Sequence, residues 1–245
     1  MTISLASGCM NRAATLRMVL PTWLACREID EVVVVDWSSR VPISEELADF
    51  KDFRIRFIRV EGQPYWCAAR CHNVEIIAAS GDNLLRIDSD VQVLPNFFRE
   101  HPLEQDDIFW NASWKNSCGD DCHLFGTVYT QRKNFLLVNG YNERLQSYGF
   151  EDEDIYRRMQ GAHIRRCEAN RKLLKHIPHD MPSRLCHINP EFAAATNMQG
   201  IEINLKISEG IPWSAETDHM TEWDIVRSAA NLWIYKQRVS PCTTT

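Results

Sequence analysis

The sequence predicts an α/β domain of three layers, a mostly parallel central sheet with helices on both faces. Three observations carry that expectation. The first ninety residues alternate strand-like and helix-like segments, the succession that builds parallel sheets with crossover helices. Residues 32–35 are an unbroken β-branched run, V-V-V-V, as in a strand buried on both faces. Residues 84–87, L-L-R-I, form a short second run that ends in Asp88-Ser89-Asp90, and open α/β sheets bind ligands where such strands end.

Taken in order, residues 3–6 form a first strand and 7–12 its exit loop. A helix follows over 13–26, where Leu16, Val19, Leu20, Trp23 and Leu24 recur at helical spacing and Pro21 is expected to bend or divide the element. The 32–35 strand delivers Asp36 to the sheet edge, where a carboxylate contacts a ribose or base, or simply caps the next turn. Residues 45–50 suggest a short helix, 55–60 a third strand, and 67–79 a helix closed by Gly81, with Arg70 and Asn73 three apart. Beyond the Asp88 strand, residues 95–99 suggest a short helix and 107–110, 124–129, 163–167 and 172–177 suggest strands. Residues 139–143, N-G-Y-N-E, form a turn. Residues 183–210 show no clear period and are read as irregular, a candidate mobile segment. Trp223, Val226 and Trp233 recur at helical intervals, so 221–239 is read as a terminal helix packed on the body.

Composition narrows the function. Twenty-seven basic against thirty-three acidic side chains give a net charge of −6, which offers no global attraction to nucleic acid or an anionic membrane. No apolar run approaches membrane-spanning length, and the N-terminal run is too short for a signal peptide. A soluble cytoplasmic protein is therefore expected. Nine cysteines, an odd number, do not resemble a secreted disulfide scaffold. The pairs Cys67/Cys71 and Cys118/Cys122 share a spacing, so four thiolates could hold zinc if the fold joined them; ordinary buried thiols are the plainer alternative. There is no G-x-x-x-x-G-K-[ST] loop and no G-x-G-x-x-G fingerprint, so nothing supports a P-loop ATPase or a dinucleotide-binding dehydrogenase.

Two clusters of acids suggest chemistry. Asp88 and Asp90 repel each other unless a cation sits between them, and a divalent ion carrying a diphosphate suits hard oxygen ligands. The alternative is a solvated turn. Residues 151–154, E-D-E-D, crowd the first turn of an apparent helix with more charge than capping requires. A solvated acidic helix start is the alternative there. His176 and His179 flank Pro178 and could point the same way.

Together the Val32–Asp36 strand and acid, the Arg70–Asn73 helix, Asp88-Ser89-Asp90, Asn139-Gly140-Tyr141-Asn142 and Gly149-Phe150-Glu151-Asp152 resemble GT-A glycosyltransferases of the family 2 type. The second half resembles the galactosyltransferase family 7 region. The resemblance implies a nucleotide-diphospho-sugar transferase-like GT-A fold over residues 1–215, with a nucleotide-binding half (1–92) and an acceptor-binding half (93–215), and the terminal helix appended over 216–245. It implies inverting, metal-dependent transfer of a sugar from a nucleotide-diphosphate donor, with a UDP-sugar expected, to a glycan or other hydroxyl acceptor. Asp36 is implied at the base or ribose and Asp88 at the ribose or outer metal shell, with Ser89 beside it. Asp90 and His179 are implied as metal ligands, with His176 as partner or substitute, and Mn²⁺ is favoured over Mg²⁺ by the mixed donors. Arg12 and Arg70 are candidate pocket and phosphate contacts. Tyr148 is implied to pack on sugar or touch phosphate, Glu151 to fix the acceptor, and Asp152 to be the general base, its charged form favoured by the helix start. A retaining glycosyltransferase of the same fold, told apart by the product anomer, a nucleotidyltransferase, a sugar-nucleotide or glycan binding protein without catalysis, and action beside a partner chain are the competing expectations.

Overall fold

The computed structural model describes residues 1–104, 107–117, 119–178, 186–192 and 197–238, with the backbone alone at 120, 121 and 197. The first half runs β1 (Ile3–Cys9), α1 (Ala13–Ala25), β2 (Glu31–Trp37), α2 (Ile43–Glu46), β3 (Ile55–Glu61), α3 (Ala68–Ala78) and β4 (Asn83–Arg86). The second half runs β5 (Val91–Val93), α4 (Phe97–Glu100), β6 (Ile108–Asn111), β7 (Val128–Gln131), α5 (Arg132–Leu137), α6 (Glu151–Gly161), β8 (Arg165–Glu168), β9 (Leu174–His176), α7 (Asn197–Gly210), β10 (Trp223–Ala229) and β11 (Leu232–Gln237).

Among the described residues one large sheet has the order β10-β11-β3-β2-β1-β4-β7-β6-β8, and β5 pairs with β9 in a small second ladder. The central strands β3, β2, β1 and β4 are parallel, while β7 runs antiparallel to β4. Side chains alternate across a strand, and β2 shows the consequence. Val32 and Val34 join the core with Leu16, Leu20 and Trp23 of α1, whereas Val33 and Val35 join the opposite core with Val74 of α3, Tyr141 and Tyr156. The expected layers follow: α1 covers one face of the sheet, and α3, α5 and α6 supply residues to the core on the other. Pro21 lies inside α1 on its exposed side without dividing it.

Three expectations are corrected. The C-terminal segment is a β-hairpin, not a helix: β10 pairs antiparallel with β11, and β11 lies parallel to β3 at the sheet edge. Trp223 and Tyr235 are buried by that docking, and Trp223 packs edge-on against Trp37 at 5.9 Å. The aromatic and β-branched run 232–235 suits a pleated surface, and β3 satisfies its backbone, so tertiary pairing overrides the helical spacing. Residues 197–210 are helical instead of irregular. The inward positions of α7 include Asn204, fully buried, and Ser208, which donates to Asp154 Oδ1 at 2.6 Å. Polar residues on the buried stripe hid the period. The strand expected over 124–129 is shifted to Val128–Gln131, after a 3₁₀ segment at Gly119–Leu124.

Candidate active site

The C-terminal ends of the neighbouring parallel strands β1 and β4 open into a cavity of about 710 Å³. Its floor is the β1 exit loop with Arg12 and the β4 exit with Asp88, Ser89 and Asp90; its far wall is residues 146–153 at the start of α6. This is where an open α/β sheet places its ligand, and the volume falls in the range of small-molecule sites.

The D-S-D turn is closed by a hydrogen bond from Val91 N to Asp88 O at 3.1 Å. The antiparallel register of β5 with β9 sets Val91 opposite His176, and Ile177 N donates to Asp90 O at 2.7 Å. Those pairings bring the His176 imidazole within 3.8 Å of Asp90 Oδ2, while Arg12 Nη1 lies 3.6 Å from the same oxygen. Asp90 is buried, whereas the Asp88 side chain is 36 % exposed to the cavity. His123, which also lines the cavity, packs 4.7 Å from the His176 ring. His179 lies outside the described residues.

Across the cavity, the wall is fixed by unusual backbone. Gly149 and Phe150 have φ of +81° and +76°, and a left-handed aromatic residue is strained, as often seen where a chain is held for function. Phe150 precedes α6, so this turn aims Glu151 and Asp152 into the cavity. Asn204 of α7 clamps it by donating to Ser147 O at 3.0 Å and Gly149 O at 2.6 Å. The N-G-Y-N turn is held in turn by Asn73 of α3, which donates to Tyr141 O at 3.0 Å and accepts from Tyr141 N at 2.7 Å. Tyr141 hydroxyl then reaches Asp152 Oδ1 at 3.4 Å.

Arg86, the last residue of β4, sits between the two acid clusters with its side chain 3 % exposed. Its guanidinium lies 2.7 Å from Asp88 Oδ1, 3.5 Å from Asp152 Oδ1 and 3.4 Å from Glu75 Oε2, and donates to Gly126 O at 2.6 Å. Sequence reasoning missed it, although a lone arginine inside the apolar run 84–87 was a legible signal, because a buried cation requires buried anions.

The ionisation of the acids departs from expectation. Burial, then the neighbouring Asp152 charge, pushes the Glu151 carboxyl up to about 8. Burial also raises Asp152, with Arg86 opposing the rise and the Asp88 charge adding to it. The helix start was expected to favour the charged forms; desolvation outweighs the dipole here, because a macrodipole contributes under a unit or so while burial shifts a carboxyl by several.

The remaining expected residues fall into two groups. Tyr148 lines the cavity. Asp36 and Arg70 do not line it. Asp36 is buried and accepts from Ser39 N at 2.9 Å and Ile43 N at 3.0 Å, with Arg59 Nη1 at 2.6 Å, so it performs the capping role. Arg70 Nε faces Glu143 Oε2 at 3.9 Å. Cys67 and Cys71 lie at the start of α3, with both thiols pushed up chiefly by burial, and Cys118 lies outside the described residues. Among the described residues no three His, Cys, Asp or Glu side chains are placed to hold a metal ion together, and no helix is long and apolar enough to cross a membrane.

Solved structures place this architecture. The catalytic domain of Drosophila β1,4-galactosyltransferase 7, in complex with xylobiose, superposes with a TM-score of 0.60 at 14 % identity, over 98 % of this chain and 94 % of that one. The chain has the GT-A fold. Other GT-A structures similar to it are a mannosyltransferase from Pyrobaculum calidifontis in complex with GDP-Man and Mn²⁺ (TM-score 0.59, 12 % identity, 86 % of this chain and 76 % of that one). Residues 1–349 of TarS from S. aureus, in complex with UDP-GlcNAc, give a TM-score of 0.61 at 16 % identity over 84 % and 65 % of the two chains. At these identities the likeness is one of fold. Residues 119–180, about a quarter of this GT-A chain, match the family described as the N-terminal domain of galactosyltransferase. No curated protein matches the sequence.

Proposed function

We propose that this GT-A protein is an inverting, metal-dependent glycosyltransferase that moves a sugar from a nucleotide-diphosphate donor, a UDP-sugar, to a hydroxyl of a saccharide acceptor. The observation that supports this most is the convergence of Asp88, Ser89 and Asp90 with Glu151 and Asp152 on one cavity at the end of the parallel strands. Solved proteins of similar fold are described with UDP-GlcNAc, and with GDP-Man and Mn²⁺.

In this reading the donor lies over the β1 and β4 exits, with Arg12 and Asp88 beside its phosphates and ribose. A divalent ion would be held by Asp90 and His176, a carboxylate and an imidazole that suit Mn²⁺, and His179 is the candidate third ligand. When bound, such an ion supplies positive charge against a diphosphate leaving group. Tyr148 packs on sugar at the wall. Asp152 takes the proton of the acceptor hydroxyl while that oxygen attacks the anomeric carbon opposite the leaving group, which inverts the centre. Its raised pKa makes it a stronger base than a free aspartate. Glu151, protonated below about pH 8, donates a hydrogen bond that holds the acceptor. Asp36 and Arg70 shape the surrounding loops without touching the donor.

The test is a panel of nucleotide sugars, with and without Mn²⁺, scored for saturable binding and for release of nucleoside diphosphate. Asp90→Ala loses Mn²⁺-dependent donor binding, whereas Asp152→Asn keeps binding and loses transfer. Absence of donor binding under every metal condition refutes the reading; binding with transfer unchanged in Asp152→Asn removes the base assignment.

A further inference from the structure

The wall that carries Glu151 and Asp152 and the floor that carries Asp88 come from segments more than sixty residues apart, yet one buried side chain touches both. We propose that Arg86 is the positioning residue of this site, orienting the Asp152 carboxylate and locking it to the Asp88 turn through a single guanidinium. The inference rests on Asp152 acting as the base.

The guanidinium has hydrogen-bonding or ion-pair neighbours on each side, with Nε held to Glu75 by charge alone, without a hydrogen bond. Nη1 donates to Gly126 O at 2.6 Å and lies 3.5 Å from Asp152 Oδ1. Nη2 lies 2.7 Å from Asp88 Oδ1 and 2.5 Å from His72 Nε2. Nε faces Glu75 Oε2 at 3.4 Å. His72 Nδ1 is 3.0 Å from Glu75 Oε1, so a ring protonated on Nδ1 donates to Glu75 and accepts from Arg86. His72 and Glu75 are buried on α3, which anchors the back of the guanidinium in the core. Four elements therefore meet at one cation: β4, α3, the turn at Gly126 and the start of α6. Arginine suits this task because its planar fork presents fixed donors, whereas a lysine ammonium is a point charge that cannot meet three carboxylates on different sides.

Charge balance gives the arrangement a functional consequence. Glu75, Asp88, Glu151 and Asp152 surround the region, and Arg86 is the cation facing three of them. Its attraction is divided, so Asp152 receives a share that depends on what Glu75 takes. Weakening Arg86 makes the Asp152 anion costlier and moves its titration to higher pH; neutralising Glu75 frees Arg86 and moves it to lower pH. A residue that only filled space would produce neither shift.

The experiment compares Arg86→Lys, Arg86→Met, Glu75→Gln and Asp152→Asn in the full chain with Mn²⁺ and the best donor. Arg86→Met lowers kcat by about 10²-fold, the usual worth of an oriented base, and lowers donor affinity less; Arg86→Lys restores part of the loss. The acid limb of the kcat/KM pH profile moves up in Arg86→Lys and down in Glu75→Gln. Carboxyl ¹³C NMR of Asp152 follows the same two shifts without need of turnover. Glu75→Gln keeps the shape of its site, so it remains informative if Arg86 variants fail to fold. Transfer unchanged in Asp152→Asn overturns the base assignment. An inactive Asp152→Asn with unshifted Asp152 titration in both Arg86→Lys and Glu75→Gln overturns the role of Arg86 alone.

Discussion

Replacing Gly126 with alanine tests the site with a single methyl group. A Cβ at this position lies 2.6 Å from Asp88 Oδ2 and 2.7 Å from Arg86 Nη1, whereas ordinary contact begins at 3.4 Å. The carboxylate must therefore retreat by about 0.8 Å, or the guanidinium must leave a socket in which it is already held by Gly126 O, His72 and Glu75. Gly126 does not have positive φ, so backbone strain contributes nothing and the effect is steric. Misplacement by about 1 Å costs on the order of 10²-fold in rate, which is about 2.7 kcal/mol of transition-state stabilisation. Overpacking adds about 1–3 kcal/mol of destabilisation, a fall in Tm of about 2–4 °C per kcal/mol for a chain of this size. The assay pairs kcat/KM for nucleoside diphosphate release with a thermal melt. A Gly126→Ala protein with wild-type kcat/KM and wild-type Tm refutes the close approach of Asp88, Arg86 and the 126 turn on which the site is built.

Further outcomes follow from the same geometry. Because Glu151 has its pKa raised from 4.5 to about 8 on folding, its contribution to stability is fully present below pH 4.5 and is lost as pH rises through 8; melts of wild type and Glu151→Gln diverge across that window, and parallel curves refute the shift. Asn204→Ala leaves Ser147 O and Gly149 O without their buried donor, lowers stability by about 1–3 kcal/mol in urea unfolding, and raises the acceptor KM more than the donor KM. Gly140→Ala, at φ +61° with its added methyl driven into Asn73 Oδ1, loses at least about 1–2 kcal/mol from the backbone alone, measured by the same unfolding. Chelation of divalent ions removes donor binding from wild type, and re-addition of Mn²⁺ restores it; the same titration has no effect on Asp90→Ala.

The order of elements through β4 was legible because each depends on a short-range pattern. The four valines of β2 can only be buried on both faces, and the α1 period needs nothing beyond its own thirteen residues. The aspartates at the end of β4 and the acids at the start of α6 were legible as clusters for the same reason. What the sequence could not supply was which clusters meet. Arg86 and Gly126 are forty residues apart and touch through one hydrogen bond, and Asp36 turns out to spend its oxygens on the 39–43 backbone while Asp88 faces the cavity. The C-terminal hairpin and α7 are ambiguous in the sequence because their local spacing fits more than one structure: the free edge of β3 selects strand for one, and the buried amide of Asn204 and the inward hydroxyl of Ser208 conceal helix in the other. The charges of Glu151 and Asp152 show the same division. Their positions at a helix start are written in the chain, but their burial is set by the elements that close over them, and burial is what raises the pKa of each.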